Sequence, residues 1–321
     1  MLRILSALSV IAFLSMALSS CGSDVKASEP GNGPQGMAVE PASGEFTLSQ
    51  AWKDYWYAGV AEVTTYSLQQ GRYRDSHPGT AVNIFVTEDL SASKQVKLDD
   101  PGRAGKDRLS VLKLNQSLKF NTGIYPYSVM LSTFLPVDHG RYPHAVKATS
   151  SIQDWCGQVF LQANLRKDVL ELQQFSYFES EGDRSLRFED SFLEDELWNL
   201  IRLAPDRLPT GTLELLPGTT YLRFSHRDVR PYTAEASREE KDGLVTYRLV
   251  YPQLDRELAI HFEASFPHVI TGWEESHPGF GGERLRTVAE RKVTVHSDYW
   301  NRHELEDRAQ REALGLPVDW Q

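Results

Sequence analysis

The residue with most chemical promise in the body of the chain is Cys156, which follows Asp154 and Trp155 and precedes Gly157. Along 154–162 the odd positions are apolar apart from Gly157, so a strand there puts Cys156 on the opposite face with Asp154, Gln158, Phe160 and Gln162. A thiolate nucleophile needs a polar neighbourhood to lower its pKa and a base such as His. Cys156 and Asp154 are therefore the candidate catalytic residues of a cysteine-dependent hydrolase or transferase, and the alternative is an idle thiol inside a strand. The nine His residues do not fall in metal-binding order. Asp138-His139 and His144 are separated by loop residues, and His261 with Glu263 offers a pair of ligands plus a distant His268, so no metal is expected. The densest acidic run, Glu189-Asp190-Ser191 then Glu194-Asp195-Glu196, could pair carboxylates as glycosidases do, but a helix N-terminus accounts for it. No Gly-x-Ser-x-Gly elbow occurs, and Gly279-Phe280-Gly281-Gly282 is not followed by Lys-Ser/Thr, so no cofactor is expected.

Aromatic residues offer a binding surface in place of a catalytic one. Tyr55, Trp56, Tyr57, Tyr125, Tyr127, Trp155, Phe175, Tyr177 and Phe178 could line an apolar or sugar-binding groove, or fill a core. The elements that must position them are mostly strands. From Phe46 onward, short runs alternate with period 2 between turn residues: Val82, Ile84 and Val86; Leu112, Leu114, Leu118 and Phe120; Tyr127, Val129, Leu131 and Leu135; Trp155, Val159, Leu161 and Leu165. Val245 to Tyr251 and Leu258 to Phe262 continue the pattern, and the last strand lies near Val288 to Trp300. One-sided alternation is the mark of antiparallel sheets with one covered face. The expected fold is mainly β (α+β): a large curved antiparallel sheet, half-barrel or sandwich, with two or three helices. Those helices are read around Leu48 to Ala58, from a capping box at Ser191-Phe192-Leu193-Glu194 through Leu197, Leu200 and Ile201 to Pro205, and near Asn301 to Leu314.

The chain has 321 residues, 34 Lys+Arg against 44 Asp+Glu and a mean hydropathy of −0.41. That balance argues against a nucleic-acid binder and against a polytopic membrane protein. Arg3 precedes a run of about 15 apolar and small residues, Ile4 to Leu18, too short to span a bilayer comfortably but fitting a secretory signal. Its end, Leu18-Ser19-Ser20-Cys21, resembles the lipobox of bacterial lipoproteins. The resemblance implies cleavage before Cys21, lipid on its thiol and new amino group, and attachment to a membrane. Residues 1–20 then form the signal peptide. Gly22 in place of Asp points to the outer membrane, with the protein facing the periplasm or the cell surface. Without Arg3 the mature chain carries 33 basic against 44 acidic residues, a balance of −11, so attachment must come from lipid and not from charge. Five Gly and three Pro among Gly22 to Glu45 make a tether that spans about 27 Å as a flexible coil. Residues 46–321 form a single globular domain.

Asn83-Ile84-Phe85-Val86-Thr87-Glu88-Asp89, Val111-Leu112-Lys113-Leu114-Asn115, Phe120-Asn121-Thr122-Gly123-Ile124-Tyr125-Pro126-Tyr127-Ser128 and Gln153-Asp154-Trp155-Cys156-Gly157 resemble a family of uncharacterised bacterial lipoproteins. The resemblance covers most of residues 50–270 and implies no established activity. Some members are labelled septum formation inhibitor Maf; Ser91-Ala92-Ser93-Lys94-Gln95 lacks the two arginines of the Maf nucleotide-pyrophosphatase motif, and the label is not supported. The expected function is a membrane-anchored envelope lipoprotein that binds or carries an apolar ligand or an envelope component. The alternatives are the Cys156 enzyme and a structural subunit of an envelope assembly, bound to another envelope protein.

Overall fold

The alternating runs build one 15-stranded sheet in a computed structural model that describes residues 46–318. The expected signal peptide, Cys21 and the linker lie outside the described residues. The first half is a meander: β1 (Ala61–Arg72), β2 (Asp75–Ser91), β3 (Arg108–Thr122), β4 (Tyr125–Pro136), β5 (Lys147–Gln153), β6 (Gln158–Arg166), β7 (Val169–Ser176) and β8 (Arg184–Glu189). The second half begins with the two-residue β9 (Phe192–Leu193), then β10 (Gly211–Leu216), β11 (Tyr232–Lys241), β12 (Leu244–Tyr251), β13 (Arg256–Glu263), β14 (Ile270–Pro278) and β15 (Arg284–Ser297). The two halves join where β15 pairs antiparallel with β1, in the middle of the sheet. Every pair is antiparallel except β9 with β10.

One face of this sheet wraps a single large core that includes residues of strands from both halves and of three helices, which is the half-barrel form of the expected fold and not a sandwich. Leu112, Leu114, Tyr247, Leu249, Ile260 and Phe262 are buried there, on faces the alternation assigned for β3, β12 and β13. In β2 the assignment is reversed. Ala81, Asn83 and Phe85 point into the main core, while Val82, Ile84 and Val86 join Ala61, Val63, Val295 and Leu314 in a second cluster on the outer face. The central strands are thus covered on both sides, and a two-sided strand does not reveal which of its apolar faces is the main one.

Four α-helices occur among the described residues, one more than expected. α1 (Gln50–Trp56) is capped by the Ser49 hydroxyl, which accepts from the Trp52 N–H, and it buries Trp52 and Trp56. α2 (Leu197–Leu203) starts later than the capping-box reading places it. Ser191 donates to the Glu189 carbonyl instead of capping, Phe192 and Leu193 form β9, and Glu194–Glu196 make a 3-10 turn. All seven residues of α2 are buried, so it is surrounded by core and not amphipathic. α3 (Thr219–Ser225), which the alternation did not suggest, carries the chain from β10 to β11. The C-terminal helix is broken into 3-10 turns over Tyr299–Asn301 and Leu305–Ala309 and a single α-turn, α4 (Gln310–Ala313). No helix of the described residues is long and apolar enough to cross a membrane.

Candidate functional site

Antiparallel alternation fixes which connections share an end of the sheet. The β1–β2, β3–β4, β5–β6, β7–β8 and β14–β15 turns and the α3 crossover all lie at one end. Six of the nine singled-out aromatics gather in this half of the molecule, in or beside those turns, and the remaining three, Tyr55, Trp56 and Tyr57, sit on or next to α1. Ring contacts link Trp155 to Tyr125 (6.4 Å between centroids), Tyr125 to Tyr127 (5.8 Å) and Tyr127 to Phe224 of α3 (5.7 Å). A second chain runs from Tyr177 to Phe178, to His226 and to Phe280. Trp155, Tyr177 and Phe280 are each more than 60% exposed. The aromatic set therefore divides: Trp56 and Tyr127 fill the main core, while Trp155, Phe175 and Tyr177 are exposed at the turn end of the sheet.

Next to the second aromatic chain, which reaches it through His226, lies a cavity of about 220 Å³ between β5, β6 and β7 on one side and α3 with the segment after it on the other. Its floor is apolar: Ile152, Val159, Leu161, Leu222 and Val229. Its mouth is polar, with Arg184, Arg223 and Arg227 beside Glu181 and Asp228. His226 lies at the C-cap of α3 with a left-handed φ of 50°. Its Nδ1 is 2.6 Å from Glu181 Oε1 and its Nε2 is 3.2 Å from Arg223 Nη1, so Nδ1 carries the proton and donates to Glu181 while Nε2 accepts from Arg223. Burial, with the Arg223 charge acting against the Glu181 hydrogen bond, holds the His226 pKa below its usual value. Burial also lowers the Arg223 pKa, against the Glu181 charge.

Cys156 stands at this same end, but in the β5–β6 turn and not inside a strand. The expected face pattern fails from Trp155, which is exposed in the turn, and holds from Val159 onward. Asp154 Oδ1 accepts from the backbone N–H of Cys156 (2.6 Å) and of Gly157 (3.2 Å), so it caps the turn. Cys156 is exposed, and its Sγ makes no hydrogen bond to any described residue, His included. Gly157 is required for a different reason: a Cβ there would come within 2.6 Å of the Tyr177 ring, so the β5–β6 turn packs directly on the β7–β8 connection. The geometry pairs Asp154 with backbone and leaves the thiol without a base.

The His residues considered as ligands are dispersed. His139 is buried edge-on to Phe46, and burial holds its pKa down to about 4. His144 stacks on Phe192 and bonds Glu196, His261 bonds the Thr246 hydroxyl, and His268 lies 3.3 Å from the Glu263 carbonyl. No group of three or more potential ligands converges among the described residues.

The acidic run is where the sequence reading missed most. Glu194, Asp195 and Glu196 are all buried, and each has its own partner. Glu194 takes both Arg256 amino groups (2.5 and 2.7 Å) and the Tyr251 hydroxyl (2.5 Å). Asp195 Oδ2 accepts from the Thr219 N–H (3.1 Å) and hydroxyl (2.8 Å), at the start of α3. Glu196 bonds His144 (2.7 Å) and the Ala145 N–H (2.9 Å). Burial and the adjacent Glu194 charge push the Asp195 carboxyl up to about 7. A parallel buried pair joins Arg202 of α2 to Glu62 of β1 through two hydrogen bonds, with the Tyr55 hydroxyl donating to the same carboxylate. These contacts anchor α2 and α3, since Glu62 holds α2 while Asp195 holds the first turn of α3. The roof of the cavity is therefore positioned from below by a residue that touches it, Thr219, whose own hydroxyl is tied to Asp195. Comparisons of the chain with protein-family models, with curated proteins and with solved structures find no match.

Proposed function

We propose that this chain is a membrane-anchored envelope lipoprotein that binds a small, largely apolar ligand at the turn end of its sheet. The observation that carries the binding reading is the cavity of about 220 Å³ with an apolar floor, whose lining residue His226 touches Phe178 and the exposed Phe280. Apolar pockets with a few convergent polar groups at the mouth are the usual form of small-molecule sites. The anchoring part rests on Leu18-Ser19-Ser20-Cys21 and the Gly- and Pro-rich stretch after it, which would hold the domain clear of the headgroups of an outer membrane. The Cys156 hydrolase is the weaker reading, because Asp154 is spent on the turn backbone.

Native mass spectrometry of the full-length chain extracted from membranes tests both parts. The expected species begins at Cys21, carries acyl groups on it, and retains a bound molecule of low mass. A chain that keeps residues 1–20 would remove the anchor, and a chain with nothing bound that also fails to take up 1-hexanol would remove the binding site.

A further inference from the structure

The cavity reading leaves open what its polar mouth recognises, and Arg223 supplies an answer. The three buried or nearly buried arginines of the core differ in how they are satisfied. Arg202 and Arg256 each hold a carboxylate with two hydrogen bonds, which is what a buried guanidinium ordinarily requires. Arg72 has no carboxylate partner among the described residues. It donates to the Phe224 carbonyl and, at 3.4 Å, to the Tyr127 hydroxyl, it lies over the rings of Tyr73 and Phe224 at 4.6 and 4.7 Å, and its Nε is buried without a partner.

Arg223 lines the cavity itself, and its side chain is only 9% exposed. Its Nε is buried without a partner, and none of its N–H groups reaches an oxygen of a described residue within hydrogen-bonding distance. Glu181 Oε1 stands 3.6 Å away, too far for a hydrogen bond, and is engaged instead by His226. One face of the guanidinium rests on Phe178 at 4.3 Å. A chain with ten more acidic than basic residues has thus placed three arginines against two carboxylates in the lining of one small cavity, with Arg72 and Asp154 near enough to act on Arg223 with opposite sign. Leaving guanidinium donors unspent in a partly desolvated pocket is costly unless an anion fills them.

We propose that Arg223 is an oxyanion-binding residue at the mouth of this cavity, and that the ligand is a short amphiphile whose apolar body rests on Ile152, Val159 and Leu161 and whose carboxylate or phosphate group bonds Arg223. Arg72 adds positive potential from behind, and His226 is a positioning residue that fixes the Arg223 plane through Nε2. Glu181 is the resident carboxylate that the ligand's anionic group displaces. This inference rests on the cavity being the binding site.

Isothermal titration of the purified full-length chain with hexanoate, hexyl phosphate and 1-hexanol tests it. The expected result is that one or both anions bind at least tenfold tighter than 1-hexanol, and that Arg223→Met removes this advantage by weakening the anions far more than the alcohol. Whichever anion binds tighter identifies the group as carboxylate or phosphate. Arg223→Lys should restore part of the advantage, and Glu181→Gln should tighten anion binding severalfold, a readout that does not depend on the Met variant folding. Anions and alcohol binding equally, or Glu181→Gln leaving anion affinity unchanged, would overturn the oxyanion assignment and leave the cavity reading standing. Failure of 1-hexanol and both anions to bind would overturn the cavity reading and this inference with it.

Discussion

Charged residues inside this protein are sorted by whether a partner of opposite charge reaches them. Arg202 with Glu62 and Arg256 with Glu194 show the satisfied case, in which removing one member would strand the other without water. Asp195 is the exception among the carboxylates, because its partners are the neutral N–H and hydroxyl of Thr219 and its neighbour is another acid. Its pKa of about 7 in the fold lies above the usual value near 4 for an unfolded chain. The folded state therefore retains a proton that the unfolded chain gives up, and the stability this contributes is complete below pH 4 and is lost as the pH rises toward 7. Asp195→Asn, which cannot ionise, should show no such loss. Urea denaturation of both proteins across pH 4 to 8 should give a difference in unfolding free energy that shifts by ~4 kcal/mol in favour of the variant as the pH rises. A pH-independent difference would mean that Asp195 is not protonated in the fold. Because Thr219 lines the cavity, the same titration acts on the helix that roofs it.

Among the elements, those whose identity depends on local pattern were legible, and those defined by what they meet were not. The period-2 faces of β3, β12 and β13 follow from residues within one strand, and the buried residues agree with them. The Ser191 capping box had the right residue spacing, yet the acids after it are committed to Arg256, Thr219 and His144, of which Arg256 lies 62 residues from Glu194. An acidic cluster at a helix start looks the same in sequence whether it faces water or a buried arginine. Close approach between strands is likewise invisible until they pair. Gly272 of β14 opposes β15 so closely that a Cβ would stand 2.3 Å from the Ala289 carbonyl oxygen. The oxygen is backbone and cannot swing aside, so Gly272→Ala must push two paired strands apart. Thermal and urea unfolding should register a loss of ~2 kcal/mol or more for that variant. An unchanged midpoint would show that the ladder yields there without cost.

At the level of the whole molecule, the chain's two halves meet at the strand pair that contains the last long strand. Thr64 and Thr294 touch across it, 230 residues apart. Chain ends of most domains tolerate truncation because little depends on them. Here a chain ending before Arg284 loses the strand that pairs with both β1 and β14, and it should lack the cooperative unfolding transition of the intact protein. A chain ending after Ser297 keeps the sheet. It loses the Thr65 Oγ1 to Leu314 carbonyl bond and the packing of Leu314 on the outer cluster, and circular dichroism with urea should find it folded but less stable by ~1–3 kcal/mol. Cooperative unfolding of the shorter chain would mean that the first meander folds without its partner.

The sequence alone was enough to specify a mainly β fold, half-barrel or sandwich, and seven of its 15 strands, because alternation is a property of neighbouring residues. It left open whether the aromatic side chains line a groove or fill the core, and the structure divides them, with Trp56 and Tyr127 in the core and Trp155 and Tyr177 exposed. It put Cys156 in a strand, whereas the Asp154 side chain folds the residues around it into a turn. Strand order, the central pairing of β1 with β15, the buried arginine pairs and the unspent donors of Arg223 were decided only by tertiary structure. Each depends on which residue, often more than a hundred positions away, arrives within reach to satisfy a buried charge or a backbone group.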